Sequence, residues 1–580
     1  MHATADGPVS DSPSTTSLRQ LVDILGVTIV FFALSCSPVP DVNEAHYWCK
    51  AKHFWDPTFC AADSFLNSAD AHWSFYLTLG QLTRFLSLEN ATWAGRWIVW
   101  LAMAGGWCSL AKCFDLRSFQ VWLSAALLVV VTRWCHLSGE WVVGGAEAKG
   151  LAFGAVFLAL GAACRGRWGT AFLAGGVGAG FHVLVGGWTV LCLLLVGSYF
   201  LVRSLAQGKQ PSLRNLRPVC GGLAVGGLIS LGGLWPALGL ATSASPDLIE
   251  AANSIYVLQR LPHHLVFWAF QPIQLLMFCG LVLIWLTTLT GVDHPPSLPT
   301  KENPRVTLIL LVHAALGLSA VGLGWSLVVL FAESGNAFAV SCLRYYWFRT
   351  ADVFLPIGVV LLGCQAVFSP YRIWKYSENE GTNRTWSALG VRTVMYGLIV
   401  WSLAWEVGLV YQQAVLDPRP NADKASLPSD QDFGRTQAIF QHWKNVCDWI
   451  RHHTRADAIF LTPRSQQTFK WYAHRSEVVN WKDVPQDSQG LLDWQQRVVD
   501  SAPLWSSDLG IAIQDPVAIH ELAMKYDVDY LVMTQYAYEL QHRFGRQLPY
   551  RRVYPESAGQ RSYYVVLAIH EWQSAPSDQP

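Results

Sequence analysis

The sequence predicts a mainly α-helical membrane protein, a polytopic bundle of about ten to twelve spans followed by a C-terminal soluble α/β domain. Three observations support this class. Of the 580 residues, 52% are hydrophobic and 14% are charged, whereas soluble domains carry about 25% charged residues. Apolar runs long enough for a ~30 Å hydrocarbon core recur up to residue 412. The 28 Trp and 46 Gly are typical of aromatic interface belts and of close helix packing in lipid.

The order of apolar runs and basic loops predicts the topology. Candidate spans lie at 20–38, 71–87, 94–112, 119–136, 148–164, 169–186, 187–202, 218–240, 265–290, 306–331, 351–368 and 391–412. Basic residues cluster at 203–217, 301–305 and 372–392, which predicts that these loops are cytoplasmic. A forward count from a cytoplasmic N-terminus disagrees with this assignment by one crossing between residues 71 and 203. One apolar stretch in that interval is therefore split, re-entrant or not spanning.

The domain boundaries follow from changes in composition. We predict a disordered N-terminus at 1–18, a membrane domain at 19–412, a Pro- and Asp-rich linker at 413–434 and a soluble extracytoplasmic domain at 435–572. In that domain we expect strands within 458–463, 476–481, 529–534 and 562–569, and helices within 436–452, 488–500 and 516–526. The domain has no Gly-rich phosphate-binding motif. The balance of 41 basic and 41 acidic residues gives no indication of a nucleic-acid partner.

Two acids emerge directly after the first apolar run. Asp41 and Glu44 lie at the predicted membrane boundary, where carboxylates are costly and often functional. They are candidates for a catalytic base or a metal anchor, and the alternative is a pair of solvated loop acids.

The residues that follow these acids are aromatic and basic. We expect an interfacial helix here that lies on the membrane, with Trp48 and Trp55 as anchors. Lys50 and Lys52 are then placed to meet the phosphate of a lipid substrate.

Three further polar groups fall on the same predicted outer side, and their convergence is more informative than any one of them. Their members are Glu140, Glu147 and Lys149; Arg260, His263 and His264; and Arg344 and Arg349. The two glutamates share a face only if their segment is helical. Local alternatives are neutralisation of Glu147 by Lys149, snorkelling of the second group, and an i, i+3 pair between Arg349 and Asp352.

The layout resembles the GT-C superfamily of integral membrane glycosyltransferases. The resemblance rests on the acidic motif after the first span (Asp41-Val-Asn-Glu44), a loop helix, a short second span, Arg96 near the start of the third, ten or more crossings and an outer C-terminal domain. Within that group the chain looks most like an uncharacterised set of planctomycete-type bacterial membrane proteins that share the words N-E-A-H-Y, E-A-K and R-L-P-H-H.

This resemblance implies transfer of a sugar from a polyprenyl-phosphate donor to an extracytoplasmic acceptor at a bacterial cytoplasmic membrane. It assigns Asp41 or Glu44 as the base or as the holder of a divalent cation, although Asn43 separates two acids that many members keep adjacent. The competing hypotheses are a multi-pass transporter or lipid flippase, which predicts internal repeats and mid-span polar residues, and a non-enzymatic scaffold.

Overall fold

The computed structural model describes residues 13–209, 212–242, 244–290, 304–368, 382–428, 431–502, 516–543, 548–557 and 561–569. Helices up to residue 411 are α1 (Pro13–Ser35), α2 (Glu44–Trp55), α3 (Ser64–Asn67), α4 (Trp73–Leu77), α5 (Leu88–Ala111), α6 (Ser118–Trp134), α7 (Ala148–Cys164), α8 (Trp168–Phe181), α9 (Val183–Ala206), α10 (Leu213–Thr242), α11 (Pro246–Ser254), α12 (Pro262–Leu265), α13 (Pro272–Thr290), α14 (Pro304–Ser334), α15 (Ala337–Leu343), α16 (Trp347–Phe368) and α17 (Thr382–Tyr411).

The predicted class is confirmed, since a helical membrane bundle is followed by a small C-terminal sheet. Within the described ranges, 6 helices are long and apolar enough to cross a membrane, and α6, α7 and most of α13 form shorter apolar helices. Helix α1 begins at Pro13, inside the segment predicted to be disordered. Residues 1–12 and the loop lysines Lys301 and Lys375 lie outside the described residues.

The predicted span at 71–87 is wrong. This segment folds as the five-residue helix α4 and a six-residue 3₁₀ helix, Leu79–Arg84. At ~1.5–2 Å of rise per residue neither piece crosses a ~30 Å core. Removal of this crossing leaves eleven of the twelve candidate spans. With six candidate spans before residue 203, a count from a cytoplasmic N-terminus assigns 203–217 to the cytoplasmic side. This assignment agrees with the one predicted from the basic residues of that loop.

Helices α8 and α10 pack through glycines, because only hydrogen leaves room for their backbones to meet. A Cβ at Gly176 would lie 2.2 Å from the carbonyl oxygen of Gly226, and one at Gly222 would lie 2.0 Å from that of Gly169. Such small-residue contacts allow close approach where lipid supplies no hydrophobic drive between helices.

We expect Gly176→Ala to destabilise the bundle by about 1–3 kcal/mol, because the added methyl meets backbone that must move. Gly227→Ala on α10 is the matched control, since a Cβ there meets nothing within 4 Å. Thermal unfolding in detergent provides the measurement. Equal unfolding temperatures for both variants would contradict the close packing.

The chain after residue 411 forms a mixed five-stranded sheet flanked by helices. Its elements are α18 (Asn421–Lys424), α19 (Phe433–His453), β1 (Ile459–Leu461), α20 (Phe469–Ala473), β2 (Ser476–Glu477), α21 (Ser488–Ser501), α22 (Pro516–Lys525), β3 (Tyr530–Thr534), α23 (Gln535–Arg543), β4 (Arg551–Tyr554) and β5 (Tyr564–Ala568). The strand order is β2-β1-β3-β5-β4. Strands β1, β2 and β3 pair in parallel, and β5 runs antiparallel to β3 and β4.

Local sequence explains most of these elements. Helix α19 starts where the Asp432 carboxylate accepts a hydrogen bond from the Arg435 amide at 2.9 Å, and it buries Ile439, Trp443, Val446, Cys447 and Ile450 at helical spacing. Strand β5, which lies between β3 and β4 in the sheet, is fully buried. All four strand segments and the three helical segments expected for this domain contain an observed element. Strand β4 was not predicted, because its sequence Arg-Arg-Val-Tyr is half exposed at the sheet edge.

A buried ionic cluster joins the first loop to the soluble domain. The Lys470 ammonium lies 3.1 Å from the Asp63 carboxylate, 2.8 Å from Glu477 and 2.6 Å from Asp483. Thr462 also donates a hydrogen bond to Glu477 at 2.6 Å. Burial, only partly offset by Lys470, raises the pKa of Glu477 to about 7 and raises the pKa of Asp483. The cluster therefore takes up protons more readily than the unfolded chain does.

We expect this cluster to make the fold less stable as the pH rises. A carboxyl whose pKa moves from 4.5 to about 7 on folding contributes stability that is fully present below pH 4.5 and is lost as the pH passes 7. The difference is up to about 3 kcal/mol for Glu477. Thermal unfolding of wild type should show this loss between pH 5 and pH 8, and Glu477→Gln should flatten it. The exposed Glu521→Gln is the control, and an unchanged pH profile in Glu477→Gln would refute the assignment.

Candidate active site

The turn after α1 presents Asp41 with a carboxylate that is only partly engaged. Its Oδ1 accepts hydrogen bonds from the Val42 amide at 2.7 Å and from the Asn421 side chain at 3.1 Å. Ser37 donates to Oδ2 at 3.4 Å. Among the described residues no Lys, Arg or His forms a salt bridge with Asp41. The carboxylate is half-buried and lines a cavity.

Glu44 has a different environment, three residues further on. Its side chain is 0% exposed, and its two oxygens accept hydrogen bonds from Arg96 Nε at 2.7 Å and Nη2 at 2.6 Å. The backbone amides of Ala146 and Asp41 also donate to it, each at 2.7 Å. Glu44 is thus a bidentate partner of a buried arginine, and it lies behind the cavity wall.

Glu140, Glu147 and Lys149 form an ion cluster that lines the same cavity as Asp41. The Lys149 ammonium lies 2.9 Å from the Glu140 carboxylate and 3.7 Å from Glu147, and Arg349 lies 3.4 Å from Glu140. The two glutamates do not share a helical face, because the glycine-rich segment 138–147 is irregular and α7 begins only at Ala148. Burial raises the pKa of Glu140, but Lys149 and Arg349 outweigh it and hold this pKa below its ordinary value.

The i, i+3 pair between Arg349 and Asp352 is not observed. Asp352 instead accepts hydrogen bonds from the backbone amides of Leu137 at 2.6 Å and Ser138 at 2.9 Å. The carboxylate therefore fixes the irregular segment, and Arg349 is left to pair with Glu140. The buried Arg349 Nε has no hydrogen-bond partner among the described residues.

The other two polar groups, one around Arg260 and the other around Arg344, lie near the same ion cluster. Arg260 Nε donates to the Trp481 carbonyl at 3.1 Å, and Arg344 Nη1 donates to the Asn253 side chain at 2.9 Å. His264 Nδ1 lies 2.6 Å from the Ser138 carbonyl oxygen and lines the cavity, whereas His263 does not.

These side chains enclose one cavity of about 1060 Å³ between the end of the bundle and the soluble domain. Its walls come from segments 35–50, 65–76, 133–153, 181–188, 233–240, 249–264, 338–354, 410–421 and 482–488. Asp41, Glu140, Glu147, Lys149 and Arg349 all line it. Of the twelve predicted site residues, nine line this cavity, and Glu44, Lys52 and His263 do not.

The loop helix does not lie on the membrane as predicted. Trp48 is 0% exposed, donates to the Ala146 carbonyl at 3.2 Å and packs against Phe75, so it is not an interfacial anchor. Lys50 lines the cavity, but its ammonium donates to the carbonyl oxygens of Phe65 at 2.9 Å and Ser68 at 2.8 Å. Lys52 lies over the Phe59 ring, away from the cavity. Helix α2 is therefore an internal wall.

The cavity residues do not fit the divalent cation that the sequence left open. Within the part of the chain that the structure describes, no three His, Cys, Asp or Glu side chains converge in a ligating arrangement. The second acid of the motif, Glu44, already satisfies Arg96.

Two cavity residues were missed from the sequence. Asn421 belongs to the predicted linker, yet its amide donates to Asp41. Lys482 belongs to the soluble domain, yet it lines the same cavity. No local pattern indicates either role, because each acts on residues more than 200 positions away in the chain.

Comparisons with known proteins give a family match in the soluble domain and likenesses of fold to solved structures. A family model described as a domain of unknown function (DUF6798) matches residues 441–501. The chain is similar to a crystal structure of ArnT from Cupriavidus metallidurans bound to undecaprenyl phosphate, with 14% identity, a TM-score of 0.45 and coverage of 97% of this chain and 100% of that one. It is also similar to an Archaeoglobus fulgidus oligosaccharyltransferase tethered to an acceptor peptide, with 13% identity, a TM-score of 0.41 and coverage of 95% and 74%. No curated protein matches the chain.

Proposed function

We propose that the protein is a membrane glycosyltransferase that moves a sugar from a polyprenyl-phosphate donor to an extracytoplasmic acceptor, with Asp41 as general base. One observation carries the proposal: an incompletely engaged carboxylate faces a cavity whose other walls are rich in basic side chains. The proposal also places the cavity and the soluble domain outside a bacterial cytoplasmic membrane. The agreement of the two topology counts supports that orientation.

The base must be free to take a proton, and the two acids of the motif differ in this respect. Glu44 already accepts four hydrogen bonds, two of them from a guanidinium. Asp41 has no cationic partner within salt-bridge distance among the described residues, and its Oδ2 is engaged only by a long 3.4 Å contact. We therefore assign proton removal to Asp41 and a positioning role to Glu44, which holds the turn by its bond to the Asp41 amide.

The reaction balances without a further co-reactant. Asp41 takes the proton of the acceptor hydroxyl while that oxygen forms a bond to the anomeric carbon. The bond between the anomeric carbon and the phosphate oxygen breaks, and the phosphate keeps the electron pair. Its added negative charge requires nearby cations. We propose Arg344 and Arg349 for this role, with Glu140 holding Arg349 in place.

The remaining predicted residues are proposed to shape the substrate site. Lys149 neutralises the two glutamates that line the cavity together with Asp41. Burial raises the pKa of Glu147, and Lys149 opposes the shift. Arg260 contacts the soluble domain through the Trp481 carbonyl, and His264 contacts the irregular segment through the Ser138 carbonyl.

The direct test uses purified protein in lipid nanodiscs, polyprenyl-phosphate sugars labelled on the sugar, and an extract of native lipids and glycans as acceptor. We expect label to leave the polyprenyl lipid in step with release of polyprenyl phosphate. Movement of intact labelled lipid between leaflets without loss of its sugar would overturn the proposal and favour a flippase. Retention of label without any movement would favour the scaffold.

A further inference from the structure

Among the described residues, three of the seven Lys and Arg side chains that line the cavity have no acidic partner within salt-bridge distance. Lys149 and Arg349 are paired with glutamates, Arg133 is paired with Glu406, and Lys50 has Asp70 at 3.7 Å. Within the described ranges no carboxylate lies within 4.0 Å of the charged nitrogens of the other three, Arg260, Arg344 and Lys482. Partly buried cations that lie near one another without an acid raise the free energy of the fold, and a bound anion would lower it. The cavity therefore has cations that are already paired with acids and cations that are available to an anion.

The soluble domain holds two of these cations in place. Arg260 donates through Nε to the Trp481 carbonyl, and its guanidinium stacks over the Trp481 ring at 5.3 Å. Arg344 donates to the Gln486 carbonyl. The terminal nitrogens of Arg260 have no acceptor in the described part of the chain. The guanidinium is therefore held in orientation by Nε, and its terminal N–H groups are available to a ligand. A fixed fork of this kind suits bidentate binding of phosphate.

Lys482 follows Trp481 directly and carries the third charge. Its ammonium makes no hydrogen bond or salt bridge to a described residue, and it is half-buried on the cavity wall. Burial, with Arg260 adding like-charge repulsion, lowers the pKa of Lys482 to about 8. His46 also lines this cavity, and its Nδ1 is a buried atom without a hydrogen-bond partner among the described residues. An ammonium without a salt bridge and an imidazole nitrogen without a hydrogen bond to any described residue thus line the same cavity. Glu147 and Asp483 act on Lys482 only from beyond salt-bridge distance.

We propose that Lys482 and Arg260 form an anion site that binds a phosphate group of the substrate, so that the soluble domain completes the active site. The inference rests on the proposed function for the identity of that substrate. Two sources offer the same chemistry: the phosphate of the polyprenyl donor, and a phosphate on the acceptor that enters from the aqueous side. In both cases Lys482 adds a positive charge from the soluble domain to that of Arg260 from the membrane domain.

The test is titration calorimetry on the full-length protein in nanodiscs, with inorganic phosphate and a short-chain polyprenyl phosphate as probes. We expect Lys482→Met to weaken phosphate binding about tenfold or more, the value of a lost charged hydrogen bond, and Lys482→Arg to retain most of the affinity. Lys444→Met is the matched control, because Lys444 is an exposed lysine of the same domain outside the cavity.

The two probes also separate the two sources. If the phosphates compete and both weaken in Lys482→Met, the site binds the donor. If only inorganic phosphate weakens and the two bind together, the site binds the acceptor. Equal affinity of Lys482→Met and wild type for both probes would overturn the anion site. A failed transfer assay with intact phosphate binding would instead overturn the proposed function alone.

Discussion

Asp41→Asn is expected to lower the rate of sugar transfer by about 10²–10⁴-fold, the usual contribution of a positioned general base. The amide keeps the shape of the carboxylate and can still accept from Val42 and Asn421 at the Oδ1 position. It cannot take up the proton of an acceptor hydroxyl. We therefore expect little change in the unfolding temperature and in the affinity for polyprenyl phosphate. Loss of label from the polyprenyl-phosphate sugar measures the rate.

The control for this substitution is Asp56→Asn, at an exposed acid of the same loop. It should transfer sugar at the wild-type rate. Transfer by Asp41→Asn at the wild-type rate would remove Asp41 as the base.

Glu44→Gln is expected to damage the fold rather than the chemistry alone. The buried Arg96 would lose its only carboxylate partner within salt-bridge distance among the described residues, and loss of one member of a buried pair costs about 3–5 kcal/mol. The side-chain amide would also point a donor at the guanidinium. We expect a lower yield of folded protein and a clear drop in unfolding temperature, measured in detergent.

Two further variants define this effect. Glu89→Gln, at an exposed glutamate in the first turn of α5, should be close to wild type. A double change, Glu44→Leu with Arg96→Leu, should cost less than the sum of its single changes, since no charge is then buried alone. A Glu44→Gln protein that is as stable as wild type but inactive would transfer the role of base to Glu44.

The two substitutions therefore distinguish the acids, because Asp41→Asn is expected to lower the transfer rate and Glu44→Gln is expected to lower the unfolding temperature. Sequence spacing places both carboxylates at the end of the first span and does not rank them. The ranking follows from Arg96, which lies 52 positions from Glu44 in the chain and reaches it only because α5 packs beside the first loop. The same packing buries Trp48 and turns an expected surface helix into a cavity wall.

The failed span at 71–87 has a similar cause. Mean apolarity suggested a crossing, but the chain breaks between α4 and the 3₁₀ helix. Trp55 donates to the Tyr76 carbonyl here at 2.8 Å, and the Gly80 backbone packs against Ala51. Contacts with α2 therefore outweigh the preference of this short apolar run for lipid.

The sequence by itself determined the class of the protein, the place of its first acidic motif and four of its five strands. These features depend on local composition and periodicity, which the chain displays directly. Only the tertiary structure decided which acid is available, which cations are already neutralised, and that Lys482 and Asn421 enter the cavity. Each of these depends on distances between residues far apart in the chain. A charge's role is set by the partners within a few ångströms of it, and the fold alone brings those partners together.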